Sequence, residues 1–302
     1  MTGPVFAPAL FDFEAIGTHW QIETPAPLDA AARQAVLDRV ETFDATYSRF
    51  RSDSLVAALA ERPGRYAFPD DAIELFDLYD RLAAATGGAV DPLVGRDLEL
   101  LGYDREYSLH PASDLERAAA GLTDVAARPS WSTDVVRDGT VVTTERPLVI
   151  DVGAAGKGYL VDLVAGVLRA HGVDHFVVDA SGDLVHAGPH PIRVGLEHPL
   201  VAGQAIGVAE VRNESLCASA SNRRSWGDDL HHILDGRTGN PAREVIATWV
   251  VAADTALADG LATALFFTGA HRLAETFHFS YVRLYADGRA ERSRDFRGEL
   301  FT

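Results

Sequence analysis

Residues 151–159 read DVGAAGKGY, and Lys157 is the only lysine among the 27 lysines and arginines of the chain. A lysine kept where arginine is otherwise universal suggests a site that wants a compact point charge and rejects a planar fork. Gly153, Gly156 and Gly158 surround it. Such glycines let backbone amides approach a ligand, and the start of a helix presents unpaired N–H groups that favour anions. A phosphate would fit this turn; a plain strand-to-helix bend that merely uses its glycines is the alternative. The loop is not a P-loop, because only Ala154 and Ala155 separate Gly153 from Gly156 and Gly158 follows the lysine.

Two further stretches carry chemistry. In DTALADGLATALFFTG, Asp259 and Thr263 lie four apart, so a helix places carboxylate and hydroxyl on one face, a pair of hard oxygens suited to Mg²⁺. Taken alone, the same pair also reads as a solvated acid and a packing threonine. HHILDGRTGNP joins His232 and Asp235 to tight turns at Asp235-Gly236 and Gly239-Asn240-Pro241, and it reads equally as a hairpin whose histidine is incidental. Adjacent strand residues face opposite ways, so only one of His231 and His232 can address a site. Alternation alone does not say which of the two it is.

The elements that must hold these residues follow from periodicity. FEAIGTHWQIE alternates as a strand, Leu28 to Tyr47 has helical spacing, and a second helix runs from Asp70 or Asp71 to a stop at Gly87-Gly88. DVVRDGTVVTTERPLVID predicts a hairpin turning at Asp138-Gly139 just before the lysine loop. Tyr159 to Ala170 and Thr255 to Thr268 are the remaining strong helices. Strands outnumber helices and hairpin signals occur in both halves, which predicts an α+β fold with largely antiparallel sheets and flanking helices.

Composition narrows the function. At 302 residues and 47% hydrophobic, the chain can bury a large core, and one domain over residues 1–302 is expected. A net charge of −17 argues against nucleic acid and anionic membranes as partners. No stretch approaches the ~20 apolar residues of a membrane helix, and MTGPVFAPALFDFEAIGTHW lacks the features of a signal peptide. The sole cysteine, Cys217, lies far from the N-terminus. A cytoplasmic protein is expected.

In chain order, AIGTHW, YSRFRSDS, TGGAVDPLVG, DVGAAGKGYLVD, VVDASGDL, HHILDGRTGNP and ADGLATALFFTG resemble the successive motifs of the ApbE family, the FAD:protein FMN transferases. The resemblance implies a T-fold-related domain that binds FAD and Mg²⁺, cleaves the FAD pyrophosphate, releases AMP and places FMN on a Thr or Ser hydroxyl of an acceptor protein. It carries Ala154 (through its backbone oxygen), Asp259 and Thr263 to the metal. It carries Ile16, Phe50, Ala89, Val90, Asp91, Asp151, Lys157 and Leu234 to the flavin nucleotide, and His232 with Asp235 to catalysis. His232 rather than His231 is then the general base towards the acceptor hydroxyl, a task that asks for a pKa near neutrality, with His231 facing solvent or the far side of the sheet.

The chain departs from the family pattern in several places. Ala218 to Asn222 replaces T-S-G-x-Y, so a hydroxyl, a glycine and a ring are missing. Ile16 stands for Met, Phe50 for Tyr, Ala262 where some members have an acid, and Gly236 for Pro, a change expected to loosen its turn. A metal-dependent FAD pyrophosphatase and a non-catalytic flavin binder are the alternatives to the transferase.

Overall fold

The computed structural model describes residues 8–120, 128–227 and 230–301; the first seven residues of the N-terminal stretch discussed above fall outside these. An eight-stranded sheet runs through the molecule. Its strands are Ala9–Ala15, Thr18–Thr24, Phe176–Asp179, Asp183–Ala187, Ser215–Ala220, Val245–Ala252, Ser280–Tyr285 and Ala290–Arg292. They neighbour one another in strict chain order, and every pair is antiparallel. The expected antiparallel α+β architecture is therefore present as a meander into which the helices are inserted.

Four helices cover one face: Ala30–Tyr47, Ala72–Thr86, Gly156–Ala170 and Thr255–Ala264. Asp29 caps the first by accepting from Ala32 N–H at 2.7 Å, an interaction worth about 1 kcal/mol. Their apolar stripes bury Val36, Phe43, Leu75, Leu82, Leu160 and Leu261 against Trp20, Ile22, Val178 and Val250 of the sheet. On the opposite face lies a three-stranded sheet of Ile192–Glu197, Ala205–Val211 and Gly298–Leu300, with Ala205–Val211 in the centre. A second core of Leu184, Leu196, Val211, Leu216, Trp249 and Val282 fills the gap. Strand alternation sorts the two cores: Cys217 and Val250 go to the helices, Leu216 and Trp249 to the small sheet. Trp249→Ala would hollow that second core and cost about 3–5 kcal/mol.

The stretch expected as one strand, FEAIGTHWQIE, is a hairpin. It turns at Ile16-Gly17, both with positive φ (46° and 73°), and pairs Ala15 with Thr18. A β-branched residue at positive φ is a true outlier, so no propensity rule would have put the turn there. The later hairpin is present, but Gly139-Thr140 rather than Asp138-Gly139 forms its two-residue loop, since Asp138 pairs with Val141. The Leu55–Glu61 helix, capped by Ser54, carried no recognised signal.

Candidate active site

The lysine loop enters the Gly156–Ala170 helix beside the start of Thr255–Ala264, and three contacts lock the two together. Asp162 accepts from the N–H groups of Thr255 and Ala256 at 2.9 and 2.8 Å. Gly158 N–H donates to Asp259 Oδ2 at 2.9 Å. Gly158 also has no room for a side chain, because a Cβ there would lie 2.3 Å from Thr255 O and 2.7 Å from Asp259 Cβ. The glycine expected to admit a ligand instead admits the neighbouring helix, and through it fixes Asp259.

Asp259 and Thr263 share one helix face as the spacing requires, and Thr263 Oγ1 donates to Ala154 O at 3.4 Å. Carboxylate, hydroxyl and carbonyl thus converge as three hard oxygens. Burial first, and the charge of Asp183 second, push the Asp259 carboxyl well above the usual carboxylate range. Asp183 is 1% exposed, and its Oδ1 has no hydrogen-bond partner among the described residues. A pair of buried acids with one oxygen unsatisfied gains from a cation, so the donor set fits Mg²⁺.

Lys157 lies in the first helical turn. Its ammonium meets Asp183 Oδ2 at 2.6 Å and donates to Ala180 O at 2.9 Å. Burial alone would lower the lysine, but Asp183 and Asp259 outweigh it and hold the pKa above its ordinary value. The residue is a permanent cation beside the oxygen cluster.

Asp151 turns back on its loop: Oδ1 accepts from Gly153 N–H at 2.6 Å, and Oδ2 pairs with Arg49 Nε at 2.5 Å. Burial would raise this carboxyl; Arg49 and the loop amide hold it below the usual range. Arg49 is itself buried, its guanidinium carbon 4.2 Å from the centre of the Phe50 ring. Phe50 stacks on Tyr107 at 5.1 Å and meets Tyr103 edge-on at 5.4 Å, and Tyr103 stacks on Trp226. Leu234 packs into the same cluster.

His232 and His231 separate as alternation demands. Of the two places expected for His231, it takes the far side of the sheet, buried, where Nδ1 accepts from Ile233 N–H at 3.2 Å, so Nε2 carries the proton that goes to Ala242 O at 2.8 Å. His232 faces the cleft, and its Nδ1 lies 3.4 Å from Arg224 O. A carbonyl only accepts, so this contact puts the proton on Nδ1 and leaves the Nε2 lone pair free. Burial and then the Arg224 guanidinium push His232 down to about 3, which departs from the near-neutral base expected from the chemistry.

These groups open on one cleft of about 1020 Å³. It gathers Ile16, Phe50, Ala89, Val90, Asp91, Asp151, Ala154, Lys157, His232, Leu234, Asp259 and Thr263. Asp235 is the exception: alternation turns it away from Leu234, and its carboxylate is held by Arg237 Nε and Nη2 at 2.9 and 2.6 Å. Asp91 reaches the cleft wall, but its two oxygens accept from Leu93 and Trp131 N–H, which makes it a brace for the wall. Gly236 does not loosen its turn. A Cβ there would lie 2.7 Å from Gly88 O, and its N–H donates to Ala89 O at 2.9 Å, so it ties the histidine turn to the Ala89–Asp91 wall. Arg49 and Asp183 stood inside motifs already singled out (YSRFRSDS and VVDASGDL), and only the fold shows what they touch.

An antiparallel sheet whose cleft sets hard oxygens and a lysine on one side and stacked aromatic rings on the other can hold a planar, phosphorylated ligand. A family model places it further: residues 16–281 match the ApbE family, and the chain belongs to that family. It is 30% identical over 271 residues to the FAD:protein FMN transferase of Rhodobacter capsulatus, covering 85% of this chain and 51% of that protein. The chain thus spans about half the length of that relative. The Treponema pallidum (strain Nichols) protein of the same name is also 30% identical, over 84% of this chain and 77% of its own. The flavin transferase ApbE from Vibrio cholerae superposes with a TM-score of 0.81 at 22% identity, covering 95% of this chain and 97% of that one, a likeness of fold.

Proposed function

We propose that this chain transfers FMN from FAD to a Thr or Ser hydroxyl of an acceptor protein and releases AMP. The carrying observation is the convergence of Lys157, Asp259, Thr263, Ala154 O and His232 on one cleft beside the Phe50, Tyr103 and Tyr107 rings. The rings suit the planar parts of FAD, and offset or edge contacts there are worth about 0.5–1.5 kcal/mol each. Asp259, Thr263 and the Ala154 carbonyl would hold Mg²⁺, which on binding would neutralise charge on the pyrophosphate oxygens. Lys157 keeps a fixed positive charge beside them.

In the transfer, the acceptor oxygen bonds to the FMN phosphorus while the bond from that phosphorus to the AMP oxygen breaks. The hydroxyl proton goes to His232 Nε2, the free lone pair of the ring. A base held at about 3 is weak before substrate binds. Bound phosphate would offset the guanidinium charge of Arg224 and raise it, so the base strengthens when substrate is present.

Incubating the protein with FAD, Mg²⁺ and an acceptor, followed by denaturing electrophoresis, tests this. Fluorescent flavin should remain on the acceptor, and an acceptor lacking its Thr or Ser should stay dark. Free FMN and AMP with no labelled acceptor would make the chain a pyrophosphatase, and bound, unchanged FAD would make it a binder.

A further inference from the structure

Four arginines line the cleft: Arg49, Arg51, Arg223 and Arg224. Three have carboxylate partners, although the buried Nη1 and Nη2 of Arg49 have no hydrogen-bond partner among the described residues. Arg49 pairs with Asp151, Arg51 with Glu41, Asp44 and Asp53, and Arg223 with Glu197. Arg224 alone has no carboxylate partner among the described residues. Its position is nonetheless defined, since its guanidinium carbon stands 5.9 Å from the centre of the Tyr103 ring and its backbone carbonyl faces His232 Nδ1. That guanidinium stays without a carboxylate in a cleft that also carries Asp44, Asp91, Asp151, Asp179, Asp183, Glu197 and Asp259. Its charge reaches into the site, acting to lower Asp151 and His232.

We propose that Arg224 is a substrate-binding residue whose guanidinium takes the phosphate groups of the bound dinucleotide. This inference rests on the reading of the cleft as an FAD site. A planar fork forms paired, charge-assisted hydrogen bonds to phosphate oxygens, and a guanidinium over an aromatic face needs no carboxylate to hold it in place. Lys157, anchored on Asp183 and Ala180 O, supplies charge from a fixed point; Arg224 supplies donors still free to meet the ligand. The same residue links recognition to chemistry, because its backbone orients the imidazole that its side chain depresses.

The test compares ligands with and without phosphates. Dissociation constants for FAD and for riboflavin are measured by flavin fluorescence on the full chain in Mg²⁺, for wild type, Arg224→Gln and Arg224→Lys. Inorganic pyrophosphate serves as a competitor against FAD. Arg224→Gln should weaken FAD and pyrophosphate by roughly 10- to 10²-fold and leave riboflavin within about twofold, with Arg224→Lys recovering part of the loss. Unchanged FAD binding in Arg224→Gln, or an equal loss for FAD and riboflavin, overturns the proposal, since the latter means the side chain only supports Tyr103. A wild-type protein that binds neither FAD nor pyrophosphate overturns the FAD reading itself, an outcome separate from a failure confined to the variants.

Discussion

The two sides of the cleft are built differently. The oxygen-rich side rides on two long helices that touch at Gly158, are tied by Asp162, and bury Asp259 and Asp183 almost completely. The aromatic side comes from short pieces: the Ser48–Arg51 turn, the loop carrying Tyr103 and Tyr107, and two-residue strands at Ser225–Trp226 and Leu230–His231. Tyr107 has a positive φ and is half exposed. On the proposed function, the difference separates two tasks. Charge on a transferring phosphate is best met by groups that do not move, because preorganised dipoles need no rearrangement during the reaction. Ring stacking and reception of an acceptor need surfaces that can adjust.

The largest effect is expected at the rigid side. Asp259→Ala should lower AMP release by ~10³-fold or more while FAD binding changes by only a few fold, and calorimetry should show loss of Mg²⁺ binding. Normal turnover by this variant in chelator-treated buffer would remove the metal assignment.

His232→Ala should lower the single-turnover rate of FMN transfer by ~10²-fold and leave the melting temperature near that of the parent. His231→Ala should do the reverse, costing about 1–3 kcal/mol of stability through the orphaned Ala242 O and Ile233 N–H. A rate loss confined to His231→Ala would show that the register of this segment is wrong.

Gly158→Ala should drive the two helices apart and destabilise the fold by about 1–3 kcal/mol, read as a lower melting temperature. A Gly→Ala change on the aromatic side at Gly227, where nothing but Leu230 Cδ1 at 3.8 Å is near, meets only the strain of its positive φ and should cost less. Equal losses would mean the two sides do not differ in rigidity. Lys157→Arg keeps the charge but replaces the compact ammonium seated between Asp183 and Ala180 O. A roughly tenfold loss of FAD affinity or rate is expected, and full activity would make the lone lysine an accident.

The smallest effect concerns pH. His232 is depressed in the folded protein, so the unfolded chain binds its proton first as pH falls. The neutral ring therefore contributes stability that is fully present above about 6.5 and lost as pH falls towards 3. His232→Asn should flatten the decline in melting temperature across that window, and an unchanged profile would place the imidazole in a more solvated setting than the structure shows.

Much of the rigid side was legible without coordinates. The 3.6-residue period alone places Asp259 and Thr263 on one face, and a lysine between glycines at a helix start needs only a few residues of context. Those are local rules. They could not show that Gly158 is occupied by a helix about a hundred residues further on, that Asp183 faces Lys157, or that Gly236 fastens its turn to Ala89.

The aromatic side was less legible still. Ile16 belongs to a turn because the strands on either side of it pair, against its own β preference. Asp235 leaves the cleft because a two-residue strand fixes which way it points. Arg224 stands out only by what does not pair with it in space. The sequence by itself determined the four longer helices, the antiparallel class and the residue types that make the chemistry, since propensity and periodicity act over one or two turns. Tertiary structure decided which of those residues meet, because burial and charge pairing join positions that local spacing never relates.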